Sequence, residues 1–245
     1  MVAAVERQIS SAQCVIFDFD GPLCHLFARR TAASVAGRLR AAYAAGSDGS
    51  AGSWPETTDP LRLLTAAFDD PTLLEPQSAQ RMERSLTLEE VAAAEVAFPT
   101  GYADTLVRTL CATGRTVAVA TDNSGEAVEC YLAGRSLLEA FSPARRPGSA
   151  PSRVCGRVCD GAAPKLKPDP DCVLRALDAA GTDAAEAVMI GDSERDVAAA
   201  RAAGVGFVGY ARNERKEREL RRAGAEWVVA SLRDILLTVD PLAHV

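Results

Sequence analysis

Residues 14–24 read CVIFDFDGPLC. Cys14, Val15, Ile16 and Phe17 form an apolar run without polar alternation, the pattern of a strand covered on both faces. The run stops at two carboxylates, Asp18 and Asp20, separated by one aromatic residue and followed at once by Gly21 and Pro22, residues that punctuate a strand. In open α/β sheets, ligands sit beyond the carboxyl ends of the strands. Side chains of residues 18 and 20 project to the same side if the extended geometry persists past Phe17. Two carboxylates that close repel, and one takes up a proton unless a cation stands between them.

Five more runs of this kind follow: RTVAVAT (115–121), RVCGRVC (153–159), AVMIGD (187–192), GVGFVG (204–209) and EWVVA (226–230). Between them lie the helical patterns ADTLVRTLCATG, DPDCVLRALDAAG and SERDVAAARAAG, each closing at a glycine. Strand alternating with helix predicts an α/β fold, a Rossmann-like doubly wound parallel sheet.

Residues 25–97 break the alternation. No strand-like run occurs there, only helical ones. Val35, Leu39 and Tyr43 recur at i, i+4 and i+8, and Asp59-Pro60 opens a helix with Leu61, Leu64 and Phe68 on one face. Thr87 and Glu90 have the spacing of a capping box before VAAAEVAF. The stretch AAGSDGSAGS reads as a surface loop. Residues 1–24 and 98–245 are thus expected to form the core, with 25–97 inserted as an all-helical unit. A second loop-like segment, SPARRPGSAPSR at 142–153, has no assigned task.

The chain has 245 residues, 48% apolar and 24% charged, the balance of a globular protein. Its net charge of −6 argues against binding a nucleic-acid backbone or an anionic membrane surface. The densest basic stretch, ARNERKERELRR at 211–222, has Glu214 four before Arg218 and Glu217 four before Arg221, the pairing of a solvated helix face. The N-terminus shows neither a signal peptide nor a membrane span, so a cytoplasmic location is expected. Seven cysteines without a C-x-x-C pair read as reduced thiols, and with two histidines in the chain Cys155 and Cys159 are expected to be small buried apolar groups rather than zinc ligands.

Other strand ends carry chemistry too. The second strand ends at Thr121 and the fourth at Asp192, while Lys167 follows the third, before a helix that Asp169 caps and Pro170 begins. Asp18, Asp20 and Asp192 would make an oxygen-rich edge suited to Mg²⁺ rather than to softer metals.

The pieces DFDG, VAVATDNS, KPDPD and MIGDSERD, in that order, resemble the four motifs of the haloacid dehalogenase superfamily, in its phosphatase and phosphotransferase branch. The insert after the first motif is similar to the α-helical cap of phosphoglycolate-phosphatase-like and β-phosphoglucomutase-like members. The resemblance implies that Asp18 is the nucleophile and Asp20 the general acid and base. It implies Mg²⁺ held by the Asp18 carboxylate, the Asp20 backbone carbonyl and the Asp192 carboxylate. Thr121 and Lys167 would bind the phosphoryl group, with Lys165 the competing lysine, and Asp196 would support them or serve only as a helix-start cap. Thr121 has the alternative of beginning a turn. His25 and Arg30 are candidates for substrate contact or plain surface. Pro22 stands where the family usually has Thr or Val, and His25-Leu26 replace the usual Asp-Ser. The expected activity is Mg²⁺-dependent hydrolysis of a small phosphorylated metabolite, with no obligate protein partner evident. A sugar-phosphate mutase and an inactive phosphate-ligand-binding protein are the alternatives. Dehalogenation is disfavoured, because that branch lacks an acid at the position of Asp20.

Overall fold

The structure is a computed structural model and describes residues 9–44, 54–70, 72–141 and 152–240. Most of the two loop-like segments, 45–53 and 142–151, lies outside the described residues.

Strand β1 (Cys14–Phe17) is central. Its Val15 and Phe17 enter one apolar cluster and its Cys14 and Ile16 another, on the opposite face. The same alternation divides β4 (Thr116–Ser124) and β6 (Ala187–Gly191): Val117, Val119, Val188 and Ile190 go to the first cluster, Ala118, Ala120 and Met189 to the second. This two-sided burial is why the runs carry no polar alternation. With β5 (Val154–Arg157), β7 (Gly206–Tyr210) and β8 (Trp227–Val229) they form one parallel sheet, in the order β5-β4-β1-β6-β7-β8. All six strand-like runs of the sequence are therefore present, in the doubly wound arrangement expected. The chain builds outward from β1 in one direction and then in the other, so the end of β1 is the topological switch point.

Register then places the chemistry. Phe17 is level with Val119 on one side and Ile190 on the other. Asp18 and Asp192 consequently leave β1 and β6 within about two residues, roughly 7 Å of strand rise, of the level of Thr121, which lies inside β4 because that strand runs on to Ser124 instead of ending at Thr121 as expected.

The extended geometry does not persist to Asp20. β1 ends at Phe17, the chain bends at Phe19, and Asp20 returns through a single bridge to Cys24. The amides of Leu23 and Cys24 both donate to the Phe19 carbonyl, and that of Gly21 to the Cys24 carbonyl. Asp20 is thus positioned by a tight turn, not by strand alternation.

The ends of the insert meet in a short antiparallel ribbon, β2 (Cys24–His25) against β3 (Phe98–Pro99). Two residues per strand, one of them a proline, leave no periodic signal in the sequence. Between them run α1 (Ala32–Ala44), α2 (Pro60–Asp69) and α3 (Pro76–Ala94). Val35, Leu39, Leu63, Leu64, Met82 and Leu86 form their shared core. In α2 the buried positions are Pro60, Leu63, Leu64 and Ala67, with Leu61 and Phe68 only packed at the edge, so the face is rotated from the one expected. Asp59 caps this helix by accepting from the Leu61 amide at 2.9 Å.

The expected capping box at Thr87–Glu90 does not form. Both residues lie inside α3, where the helix continues unbroken from Pro76. Its first half packs within the insert, while Ala93 and Ala94 belong to the main core cluster. Glu90 has a different partner, Arg157 of β5.

The remaining helices are α4 (Ala103–Ala112), α5 (Gly125–Gly134), α6 (Leu138–Phe141), α7 (Asp171–Ala180), α8 (Glu194–Ala202), α9 (Glu214–Arg222) and α10 (Leu232–Val239). Helix α7 starts at Asp171, one residue later than expected, although Asp169 Oδ1 still accepts from its first amide. Cys155 is buried, whereas Cys159 is half-exposed.

Candidate active site

The carboxyl edge of the sheet gathers a buried charge cluster around Lys167. Its Nζ lies 2.7 Å from Asp18 Oδ1, 2.5 Å from Asp196 Oδ1 and 3.2 Å from the Ala120 carbonyl oxygen. Lys165 takes no part in it. Burial works against the Lys167 charge, yet Asp18 and Asp196 outweigh it and hold its pKa well above the ordinary lysine value. The two carboxylates differ. Burial also opposes ionisation of Asp196, but Lys167 and the Ser193 hydroxyl and amide hold its pKa below the usual range. Burial, reinforced by the Asp196 charge, pushes Asp18 up to about 8, with Lys167 pulling the other way. Lys167–Asp196 is therefore the more firmly held ion pair, and Asp18 is the carboxylate whose proton affinity its surroundings raise.

Asp196 does two things at once. Ser193 and Asp196 make the capping box that starts α8, and the same carboxylate holds Lys167. The alternatives of cap and support are both realised in one side chain.

Asp192 approaches from β6. A Cβ on Gly21 would stand 2.7 Å from Asp192 Cγ, and Gly21 has φ +122°, so only glycine permits both the turn and the approach. Lys216 of α9 reaches back to Asp192, 3.0 Å from Oδ2 and 3.0 Å from the backbone oxygen. The predicted Glu214–Arg218 and Glu217–Arg221 pairs do form on α9. Lys216 departs from that solvated face and was hidden in the sequence by its charged neighbours. Burial raises the Asp192 pKa, with Lys216 opposing.

Carboxylate oxygens of Asp18, Asp192 and Asp196 lie within 4.8 Å of one another. Both Asp196 oxygens are already engaged, Oδ1 by Lys167 and Oδ2 by Ser193 and the Asp192 amide. Asp18 and Asp192 each keep one oxygen outside the hydrogen bonds described above. An all-oxygen donor set of this kind fits a hard divalent cation such as Mg²⁺. The Asp20 side chain is outside the cluster: its Oδ1 accepts from the Leu26 amide at 2.9 Å. Burial pushes the Asp20 carboxyl up to about 6, a value suited to gaining and losing a proton near neutrality.

Thr121 is buried, with its hydroxyl accepting from the Asn123 amide at 3.2 Å. It precedes a clamp that the sequence reading passed over. Asp122 Oδ1 accepts from the Lys167 amide at 2.8 Å, and its Oδ2 pairs with Arg195 at 2.9 Å. Arg195 Nε in turn donates to the Lys167 carbonyl at 2.5 Å. Lys167 is thus fixed by its backbone as well as by its ammonium. The adjacent acid in TDN and the arginine in DSERD were the available signals.

A cavity of about 370 Å³ opens over this cluster. Asp18, Asp20, Thr121 and Lys167 line its floor, and Phe27, Pro60 and Leu61 of the insert face them. His25 and Arg30 are not among the lining residues. His25 is half-buried in β2, and Arg30 pairs with Glu89 at 2.8 Å on the outer side of the insert.

A switch-point cleft holding a carboxylate cluster around a buried lysine is where an open α/β sheet of the Rossmann-like class takes a ligand. Residues 12–204 match the haloacid dehalogenase-like hydrolase family, and the chain belongs to it. It is 34% identical over 82 residues to phosphoglycolate phosphatase 1 of Pseudomonas aeruginosa, spanning 34% of this chain and 30% of that one. It is also 34% identical over 73 residues to a probable phosphoglycolate phosphatase of Pseudomonas savastanoi, 30% of this chain and 46% of the other. The match thus spans less than half the length of these curated relatives. Among solved structures, the fold is shared with a mutant of CbbY from Rhodobacter sphaeroides in complex with xylulose-(1,5)bisphosphate. That pair gives a TM-score of 0.65 at 20% identity, over 94% of this chain and 99% of the other. A predicted phosphoglycolate phosphatase from Haemophilus somnus gives 0.64 at 18% identity, over 92% and 97%.

Proposed function

We propose that the chain is a phosphatase hydrolysing a small phosphomonoester through an aspartyl-phosphate on Asp18, and that it acts in the cytoplasm with Mg²⁺. The observation that carries this is Lys167 Nζ lying between Asp18 and Asp196 beneath an open cleft. A cation there holds the phosphoryl oxygens against Asp18, whose carboxylate oxygen forms the new O–P bond as the ester P–O bond breaks. Asp20 gives its proton to the departing oxygen, then takes one from the water that attacks phosphorus and releases Asp18. Thr121 donates its hydroxyl to a phosphoryl oxygen. Asp196 holds Lys167 in place, and the Asp122–Arg195 clamp holds its backbone.

The Asp18 and Asp192 carboxylates and the Asp20 backbone carbonyl form the set proposed to hold Mg²⁺. When bound, the ion supplies positive charge that keeps Asp18 ionised and offsets the charge of the phosphate. No helix among the described residues is long and apolar enough to cross a membrane. The seven cysteines are free thiols, in keeping with a reducing compartment.

Phosphate release over a panel of sugar phosphates, phosphoglycolate and nucleotides, with Mg²⁺ and with EDTA, tests the reading. Release that requires the metal and is lost in Asp18→Asn is the expected result. Transfer of the phosphoryl group to a second sugar hydroxyl in place of water would identify a mutase. Ligand binding without turnover of any ester would favour a binding protein.

A further inference from the structure

The cleft is asymmetric in charge. On the core side it is lined by two cations, Lys167 and Arg195. Lys167 faces Asp18 and Asp196, and Arg195 is neutralised by Asp122 at 2.9 Å. The opposite wall, which meets whatever the phosphoryl group is attached to, consists of Phe27, Ala32, Thr58, Asp59, Pro60 and Leu61. It holds no cation and one carboxylate, Asp59.

Every basic side chain of residues 25–97 can be accounted for, beginning with His25, which is half-buried in β2 and does not line the cleft. The segment has seven arginines and no lysine. Arg29 lies over the Phe98 ring at 4.5 Å, and Arg30 and Arg38 both pair with Glu89. Arg40 donates to the Pro55 and Thr57 carbonyls, Arg81 to the Ser78 hydroxyl, and Arg84 pairs with Glu126. Arg62 is exposed and lines an adjoining cavity of about 510 Å³ that shares Leu61, Lys167 and Arg195 with the first. Residues 45–53, outside the described set, contain no lysine or arginine.

From this we infer that the site selects phosphomonoesters whose leaving group carries no second anion: a small alcohol, uncharged, with apolar and hydroxyl surface. The inference rests on the phosphatase reading above. A carboxylate or second phosphate on the leaving group would stand against Asp59 without a counter-cation and would lose its hydration for nothing in return. An uncharged polyol finds the Thr58 hydroxyl and the Phe27, Pro60 and Leu61 surface. Substrate choice would then differ from that in the names of the phosphoglycolate phosphatases it resembles.

Glycerol 3-phosphate and 3-phosphoglycerate isolate this feature, since they differ by a hydroxymethyl group against a carboxylate on the same skeleton. The expected kcat/KM is at least about tenfold higher for glycerol 3-phosphate, equivalent to ~1.4 kcal/mol. Thr58→Arg, at an exposed position of the cap wall, should raise kcat/KM for 3-phosphoglycerate and narrow the ratio, while Arg62→Gln leaves the ratio unchanged. Equal turnover of the two esters, or preference for 3-phosphoglycerate, overturns the inference and leaves the phosphatase reading standing. A preference for the carboxylate that vanishes in Arg62→Gln would place the anion site at Arg62 instead. Absence of phosphate release from either ester and from p-nitrophenyl phosphate overturns the phosphatase reading, and the inference with it.

Discussion

Arg157 and Glu90 form an ion pair in which neither side chain has any exposure to solvent. Arg157 ends a core strand and Glu90 lies in the long helix of the insert. Glu90 also accepts from the Asn123 side chain at 2.9 Å and the Ser124 amide at 3.0 Å, and Arg157 donates to the Asp122 carbonyl at 2.8 Å. The pair therefore ties the insert to the segment that follows Thr121.

Removing Arg157 leaves Glu90 as a buried, unpaired charge, and removing Glu90 leaves buried Arg157 with only the more exposed Glu83, 3.1 Å away. Glu90→Ala or Arg157→Ala should cost ~3–5 kcal/mol of stability, read from urea denaturation. Replacing both together by methionine should cost much less than the sum of the single changes. Additive losses would show that the two charges do not act as a unit.

The fold was legible because its signals are local. Six buried strands announced themselves by apolar runs, and three helices by their closing glycines. The acids at the strand ends followed from the rule that ligands sit at carboxyl edges. What was not legible depends on tertiary distance. Glu90 has capping-box spacing from Thr87, and nothing local says that a helix already runs through both. Lys216 looks like one more charge on a solvated helix until α9 packs beside β7 and brings it to Asp192. Strand alternation would carry Asp20 to the cleft, but a turn at Phe19 and not the strand brings it there.

Lys216 sits on Asp192 as a resident counter-ion. Lys216→Met should tighten Mg²⁺ binding by about tenfold in calorimetric titration without substrate, as a like charge beside the ion is removed. The same change should lower the melting temperature in EDTA but not in saturating Mg²⁺. Lys216→Arg should keep the wild-type affinity. Weaker Mg²⁺ binding in Lys216→Met would show that the lysine chiefly orients the carboxylate.

The raised pKa of Asp18 sets the sign of a pH effect. Below the unfolded value near 3.8 its carboxyl is protonated in both states, but up to about 8 the folded state retains a proton that the unfolded chain has lost. Stability from this group therefore falls as pH rises between those limits. In EDTA, the melting temperature of wild type relative to Asp18→Asn should decline from pH 5 to 8 and flatten above it. A difference that is constant, or rises with pH, would contradict the assignment. Saturating Mg²⁺ should abolish the decline.

The Gly21 position admits no side chain. Gly21→Ala places a Cβ against Asp192 in a backbone conformation that L-residues avoid. Loss of Mg²⁺ binding with the sheet retained by circular dichroism is expected, and unaltered Mg²⁺ affinity would show that Asp192 can move aside.

In the proposed reaction Asp18 attacks phosphorus. With p-nitrophenyl phosphate the leaving group needs no proton, so Asp20→Asn should still accept the phosphoryl group but release it slowly. Acid quenching followed by peptide mass spectrometry should find one phosphoryl group on the Asp18 side chain, and none in Asp18→Asn. A phosphoryl group on any other residue, or phosphate release by Asp18→Asn at the wild-type rate, would contradict the account.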